Sequence, residues 1–168
     1  QPGLKAVDLF EAVHEGKIKA LWIMATNPVV SLPNADRVRA AIKACPLVIV
    51  SDVTGRSDTA KLADIVLPAT GWGEKSGTVT NSERRISRQR SFLRAPGETR
   101  HDWWAICEVA RRMGFNGFDF TSAAEIYQEY AALSAFENDG TRDFNIGAHA
   151  NIDEKAYDEL VPFQGPLA

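Results

Sequence analysis

The chain has 168 residues, close to one domain at the usual allowance of about 100 to 200. Its 45% hydrophobic and 24% charged content is that of a globular protein and excludes disordered, collagen-like and fibrous classes. The formal net charge of −3 argues against whole-molecule attraction to nucleic acid or anionic membrane, and two cysteines without a Cys-x-x-Cys pair are too few for a disulfide scaffold, an iron–sulfur cluster or a structural zinc site.

Cysteine scarcity suits a reducing compartment, and with no long apolar run and no signal-peptide pattern the expectation is a cytoplasmic molecule that does not enter a membrane. The opening Gln1-Pro2-Gly3 lacks a methionine, as expected of a processed or excised chain.

Leu4, Val7, Phe10, Ala12 and Val13 recur at near-helical spacing before Gly16, which predicts a first helix ending there. Ile18 to Met24 reads as a strand, followed by a loop from Ala25 to Pro33. A second helix opens at Asn34-Ala35-Asp36, with Asn34 as its cap and Ala35, Val38, Ile42 and Cys45 on one apolar face. Pro46 stops it before the strand Leu47 to Val50. A short helical segment around Asp58 to Leu62 then leads to a third strand, Ile65 to Leu67, closed by Pro68. Short apolar strands separated by helices predict an α/β fold with a Rossmann-like parallel sheet flanked by helices.

Gly71 to Gly77 reads as a glycine-bearing loop and Thr78 to Phe92 as an extended, hairpin-like excursion carrying Arg84, Arg85, Arg88 and Arg90. Asp102 begins a helix in which Ile106, Val109, Ala110 and Met113 share a face, and Gly114 follows it. Ser122-Ala123-Ala124-Glu125 is a capping-box pattern for a further helix bearing Ile126, Tyr130 and Leu133. Beyond Phe136 the expectation is irregular structure with one short helix near Glu154 to Leu160. The whole, 1–168, reads as one α/β domain, regular over about 4–133 and largely irregular over 134–168.

Ligands of open parallel sheets bind beyond the carboxyl ends of the strands. Three loops qualify here: Ala25 to Pro28, Ser51 to Thr54, and Gly71 to Thr78. Asp52 stands where dinucleotide folds place an acceptor for ribose or base N–H groups, although a turn or cap is the commoner role of such a residue. Asn27 precedes Pro28 and is pushed toward extended backbone, aiming its amide out of the strand end. Lys75 can meet a phosphate as a point charge, and Asp102 can serve as helix cap, ligand or both. No G-x-G-x-x-G follows the first strand and no P-loop is present, so a stand-alone dinucleotide or ATP-binding domain is the weaker reading. The arginines are interleaved with Glu83 in an acidic chain, which disfavours a nucleic-acid module. His14, His101 and His149 lack metal-site spacing, and no nucleophile context appears, so neither catalytic nor metal residues are assigned.

Several blocks together carry a resemblance. They are Ile18 to Pro28, Val48 to Asp52, Ala63 to Pro68, Pro96-Gly97-Glu98 and Asp102-Trp103-Trp104. Above all there is the run from Trp72-Gly73-Glu74-Lys75 through Gly77-Thr78-Val79-Thr80-Asn81-Ser82-Glu83-Arg84-Arg85. They closely resemble the bacterial molybdopterin oxidoreductases and, with Ala132 to Gly140, most of all the catalytic subunits of assimilatory nitrate reductases. The resemblance implies an internal domain fragment that helps hold molybdopterin guanine dinucleotide, with contacts at Asn27, Ser51, Asp52, Lys75 and Asp102. It also implies a parent enzyme with further domains, a molybdenum ion between two such dinucleotides, an iron–sulfur cluster outside this chain, an electron-donor protein or subunit, and nitrate reduced to nitrite. The corresponding domain of a related molybdenum enzyme, such as formate dehydrogenase, is the alternative within the family.

Overall fold

The computed structural model describes residues 2–165, so Gln1 and residues 166–168, the ends of the range assigned to one domain, lie outside it. The chain forms two compact units. The first comprises Gln1–Gly71 with Ala95–Asp102, and the second Trp72–Arg94 with Trp103–Ala168.

The first unit is built on a parallel sheet of β1 (Leu21–Met24), β2 (Val48–Asp52) and β3 (Ile65–Pro68), in that spatial order. Leu21 pairs with Val48, and Ile49 pairs with Ile65. Helix α1 (Ala6–His14) packs on α3 (Ala35–Ala44), which connects β1 to β2, and a short helical turn α2 (Pro28–Ser31) fills part of the stretch expected as loop. Burial alternates along β1: Leu21 and Ile23 are buried, whereas Trp22 and Met24 are half-buried. The buried face joins Phe10, Val13, Val38, Ala41, Ile42, Val48 and Val50 in one core. A helix that buries one stripe and a strand that buries alternate residues meet there, which is why periods of about 3.6 and 2 are both legible in this half of the sequence.

Two helix ends differ instructively. Gly16 stands at φ 72° after α1, with its N–H on Val13 O and the Lys17 N–H on Ala12 O, a double closure that requires a left-handed residue. Asn34 does not cap α3 with its side chain as expected. It is itself left-handed at φ 57°, a conformation Asn tolerates, and its carbonyl accepts from Arg37 and Val38 instead. Asp64, from the Ala-Asp-Ile-Val-Leu-Pro block, ties the start of β2: its carboxylate accepts from Val48 N–H at 2.7 Å while its own N–H donates to Val48 O.

In the second unit the excursion is an antiparallel hairpin, β4 (Gly77–Thr80) and β5 (Arg85–Gln89), with β6 (Phe163–Gln164) added on the far side of β5. The Asn81 side chain organises the turn, its Oδ1 accepting from the N–H groups of Glu83 and Arg85, with Arg84 left-handed at φ 62°. Helix α4 spans Asp102–Arg112, from the last residue of the first unit, and α5 spans Ala123–Ala135. Ser122 caps α5 by accepting from Glu125 N–H, while the Glu125 carboxylate reaches back to Thr121 rather than to Ser122. Beyond α5 a turn of 3-10 helix (Gly147–His149) and α6 (Glu154–Asp158) interrupt the irregular tail. A core of Ile86, Ala124, Tyr127, Ala131, Ile146 and Tyr157 holds this unit together.

The buried stripes of α4 and α5 are only partly the residues singled out by apolar spacing. On α4, Cys107 and Ala110 are buried, while Ile106 and Val109 are exposed, as is Met113 just past its end. On α5 the buried stripe is Ala124, Tyr127, Ala131 and Ser134, leaving Tyr130 and Leu133 outside. Both helices are apolar on more than one side, so periodicity alone does not choose the inward face. The arginine run is likewise not simply a solvated face. The Arg88 side chain is only 5% exposed, and its guanidinium stacks 4.3 Å from the Tyr157 ring centre, donates to Gly77 O at 3.0 Å and pairs with Asp158. Among the described residues no helix is long and apolar enough to cross a membrane.

Candidate functional site

The carboxyl ends of β1, β2 and β3 lie side by side because all three strands run parallel, so the loops that leave them share one edge of the first unit. Ala25, the first residue past β1, is left-handed at φ 53° and donates its N–H to Ser51 O at 3.1 Å. That bend delivers Asn27 to the strand end, where its main-chain carbonyl accepts from Val30 and Ser31 to open α2.

The side-chain oxygen of Asn27 accepts twice from Thr59, from the hydroxyl at 2.6 Å and from the N–H at 3.2 Å. Asp52, at the end of β2, has both oxygens engaged: Oδ1 accepts from Thr54 N–H at 3.2 Å and Oδ2 from the Ser57 hydroxyl at 2.7 Å. The Ser57 oxygen in turn accepts from Ala60 N–H, opening a turn of 3-10 helix, Ala60–Leu62. Asn27 and Asp52 are therefore held by one short segment, residues 57–60. Both remain half-buried rather than enclosed.

Ser51 behaves differently. It is 3% exposed, and its hydroxyl accepts from the Trp22 indole N–H at 2.9 Å, so its side chain braces β1 against β2. Asp102 reaches the same edge through a strand-like return. Arg100 N–H donates to Pro68 O and Thr70 N–H to Arg100 O, a parallel bridge that extends β3. Thr70 and His101 then meet through Oγ1 and Nδ1, 3.1 Å apart, and Asp102 opens α4 with a carboxylate at the positive end of the helix. Lys75 belongs to the second unit, between a 3-10 turn (Trp72–Glu74) and β4, and is half-buried there.

Of the residues nominated from the sequence, Asn27, Ser51, Asp52 and Asp102 thus share the strand-end edge of one unit. Ser57 and Thr59 were not nominated. Short hydroxylated residues ahead of a helical turn read as ordinary turn chemistry, and only the fold shows that they close onto residues some 5 and 32 positions earlier. Chemically the edge offers carboxylate acceptors and an amide, a set of acceptors with one N–H donor group that suits the N–H groups and carbonyl of a nucleobase or ribose hydroxyls. Among the described residues no group of three His, Cys, Asp or Glu side chains converges as metal ligands.

Comparison with known proteins bears on the whole chain. It is 53% identical to a nitrate reductase of Shewanella frigidimarina over 100% of its own length and 18% of that protein. It is 38% identical to a putative formate dehydrogenase of Bacillus subtilis over 80% of its length and 14% of that protein. The chain therefore spans less than a fifth of the length of these curated relatives. The acetylene hydratase structure from Pelobacter acetylenicus superposes with a TM-score of 0.71 over 96% of this chain and 21% of that one, at 22% identity, a likeness of fold alone. The model of the molybdopterin oxidoreductases matches residues 1–112, the strand-end edge included, and the chain belongs to that family.

Proposed function

We propose that this segment supplies a guanine-nucleotide half-site for molybdopterin guanine dinucleotide within a molybdenum nitrate reductase. The supporting observation is that Asn27 past β1, Asp52 at the last residue of β2 and Asp102, two residues after the bridge that extends β3, stand at the carboxyl end of one sheet. A carboxylate accepts from guanine N1–H and the exocyclic amine together, and an amide N–H donates to a carbonyl or phosphate oxygen. Ser51 supports the site from beneath through Trp22, and Lys75 carries its assignment to diphosphate charge by resemblance alone. Nitrate is favoured over formate because identity is 53% over the full chain to a nitrate reductase against 38% over 80% to a formate dehydrogenase. When bound, the cofactor supplies the two-electron chemistry that turns nitrate into nitrite and water with uptake of two protons. This chain's residues bind and orient it. The iron–sulfur cluster, the second dinucleotide, the electron donor and a cytoplasmic setting belong to the same proposal.

Two or three charge-assisted hydrogen bonds, each about 1.5 to 3 kcal/mol net, are largely offset by association entropy. The chain alone should bind guanosine diphosphate weakly, near the millimolar regime of about −4 kcal/mol. Backbone amide shifts on titration should cluster at 25–27, 52–59 and 100–102, and adenosine diphosphate should produce a smaller response. Shifts scattered over the surface, or equal for both nucleotides, count against the half-site.

A further inference from the structure

We propose that Thr59 is a positioning residue which fixes the Asn27 amide with its nitrogen toward the ligand. The two ends of an amide are distinguishable here by chemistry. The Thr59 main-chain N–H only donates, so the Asn27 atom it faces at 3.2 Å is the oxygen. The Thr59 hydroxyl donates to the same oxygen at 2.6 Å, and its own oxygen accepts from Val29 N–H at 3.4 Å, which orients the hydroxyl hydrogen. Thr59 is fully buried at 0% exposure, so water does not compete for these bonds. With the oxygen committed, the half-buried Asn27 presents Nδ2 and its two hydrogens. The strand end after β1 therefore offers a hydrogen-bond donor, whereas the end of β2 offers the Asp52 carboxylate, an acceptor. A ligand seated across both presents an acceptor to Asn27 and a donor to Asp52. Loss of the Thr59 hydroxyl removes the shorter of the two bonds and leaves the main-chain N–H alone to hold the oxygen, so the amide is less firmly fixed.

This inference rests on the nucleotide reading for its ligand, but not for its first readout. In 15N spectra of the chain, the Asn27 side-chain NH2 signal should move in Thr59→Val and stay near its wild-type position in Thr59→Ser. With guanosine diphosphate as probe, half-saturation should rise about three- to tenfold in Thr59→Val, the loss of one oriented hydrogen bond, and Thr59→Ser should restore it. Asn27→Asp keeps an acceptor for Thr59 while removing the Nδ2 donor. It should remain folded and lose nucleotide binding, and it decides the matter if Thr59→Val does not fold. An unmoved Asn27 signal with unchanged half-saturation in folded Thr59→Val, or full binding by Asn27→Asp, overturns the proposal. A wild-type chain that gives no nucleotide shifts while the Asn27 signal still moves in Thr59→Val sinks the nucleotide reading and leaves the positioning role standing.

Discussion

At the residue scale the second unit carries a titratable contact whose sign is fixed by its surroundings. The Tyr127 hydroxyl and His149 Nδ1 are 2.7 Å apart, beside Tyr157 and against the edge of Phe163. Burial pushes the Tyr127 phenol up to about 12 and holds the His149 imidazole below its ordinary 6.5. A group whose folded value is depressed binds more protons when unfolded, so its contribution is present above pH 6.5 and lost as pH falls toward the folded value. The phenol behaves oppositely, with stability lost as pH rises from 10 toward about 12. Melting followed by the aromatic signal of this unit should drop as pH falls below 6.5, and His149→Phe should flatten that slope. An identical slope in the variant assigns the pH dependence elsewhere.

At the element scale, burial outweighs surface charge. The Glu11 carboxylate and Arg37 guanidinium join α1 to α3 on the exposed side, where such a pair contributes little. Ile42, 1% exposed between those helices and the sheet, should cost about 2 to 5 kcal/mol on replacement by Ala, measured by denaturant unfolding. A change under about 0.5 kcal/mol, typical of surface positions, contradicts this core. Gly147 is a packing constraint of another kind, since a Cβ there would stand 2.5 Å from Ala135 Cβ on α5. Gly147→Ala should destabilise the second unit by about 1 to 3 kcal/mol, and an unchanged melting temperature would show that the turn yields.

Legibility also varied by element. The three strands, the hairpin, the Ser122 cap of α5 and the strand-end location of Asn27 and Asp52 follow from local pattern, because Pro, Gly and short apolar runs mark them in sequence. The buried faces of α4 and α5 do not, since Ile106, Met113, Tyr130 and Leu133 are as apolar as what lies inside. Nor does the Thr59 clasp on Asn27, a contact 32 residues long in sequence that exists only once β1 and β2 are paired.

At the scale of the whole molecule, the exposed apolar side chains are informative as a set. Phe92 and Leu93 close over Gly73 in the second unit, their N–H groups both donating to Gly73 O, and Trp72 and Phe92 are 65% and 75% exposed. A chain that spans less than a fifth of its curated relatives is expected to show surfaces of this kind. The central claim is that the strand-end edge of the first unit holds the cofactor's nucleotide. It is tested most directly by the molybdenum content of a full-length nitrate reductase carrying this segment, with Asp52→Asn and Asp102→Asn introduced singly and together. Each substitution keeps the shape and replaces an anion by an amide, and Asn also serves well at a helix start. The account predicts that molybdenum per enzyme and nitrate reduction fall together, most in the double variant, while the melting temperature of the isolated chain stays nearly unchanged. Full molybdenum and full nitrate reduction in the double variant would contradict it.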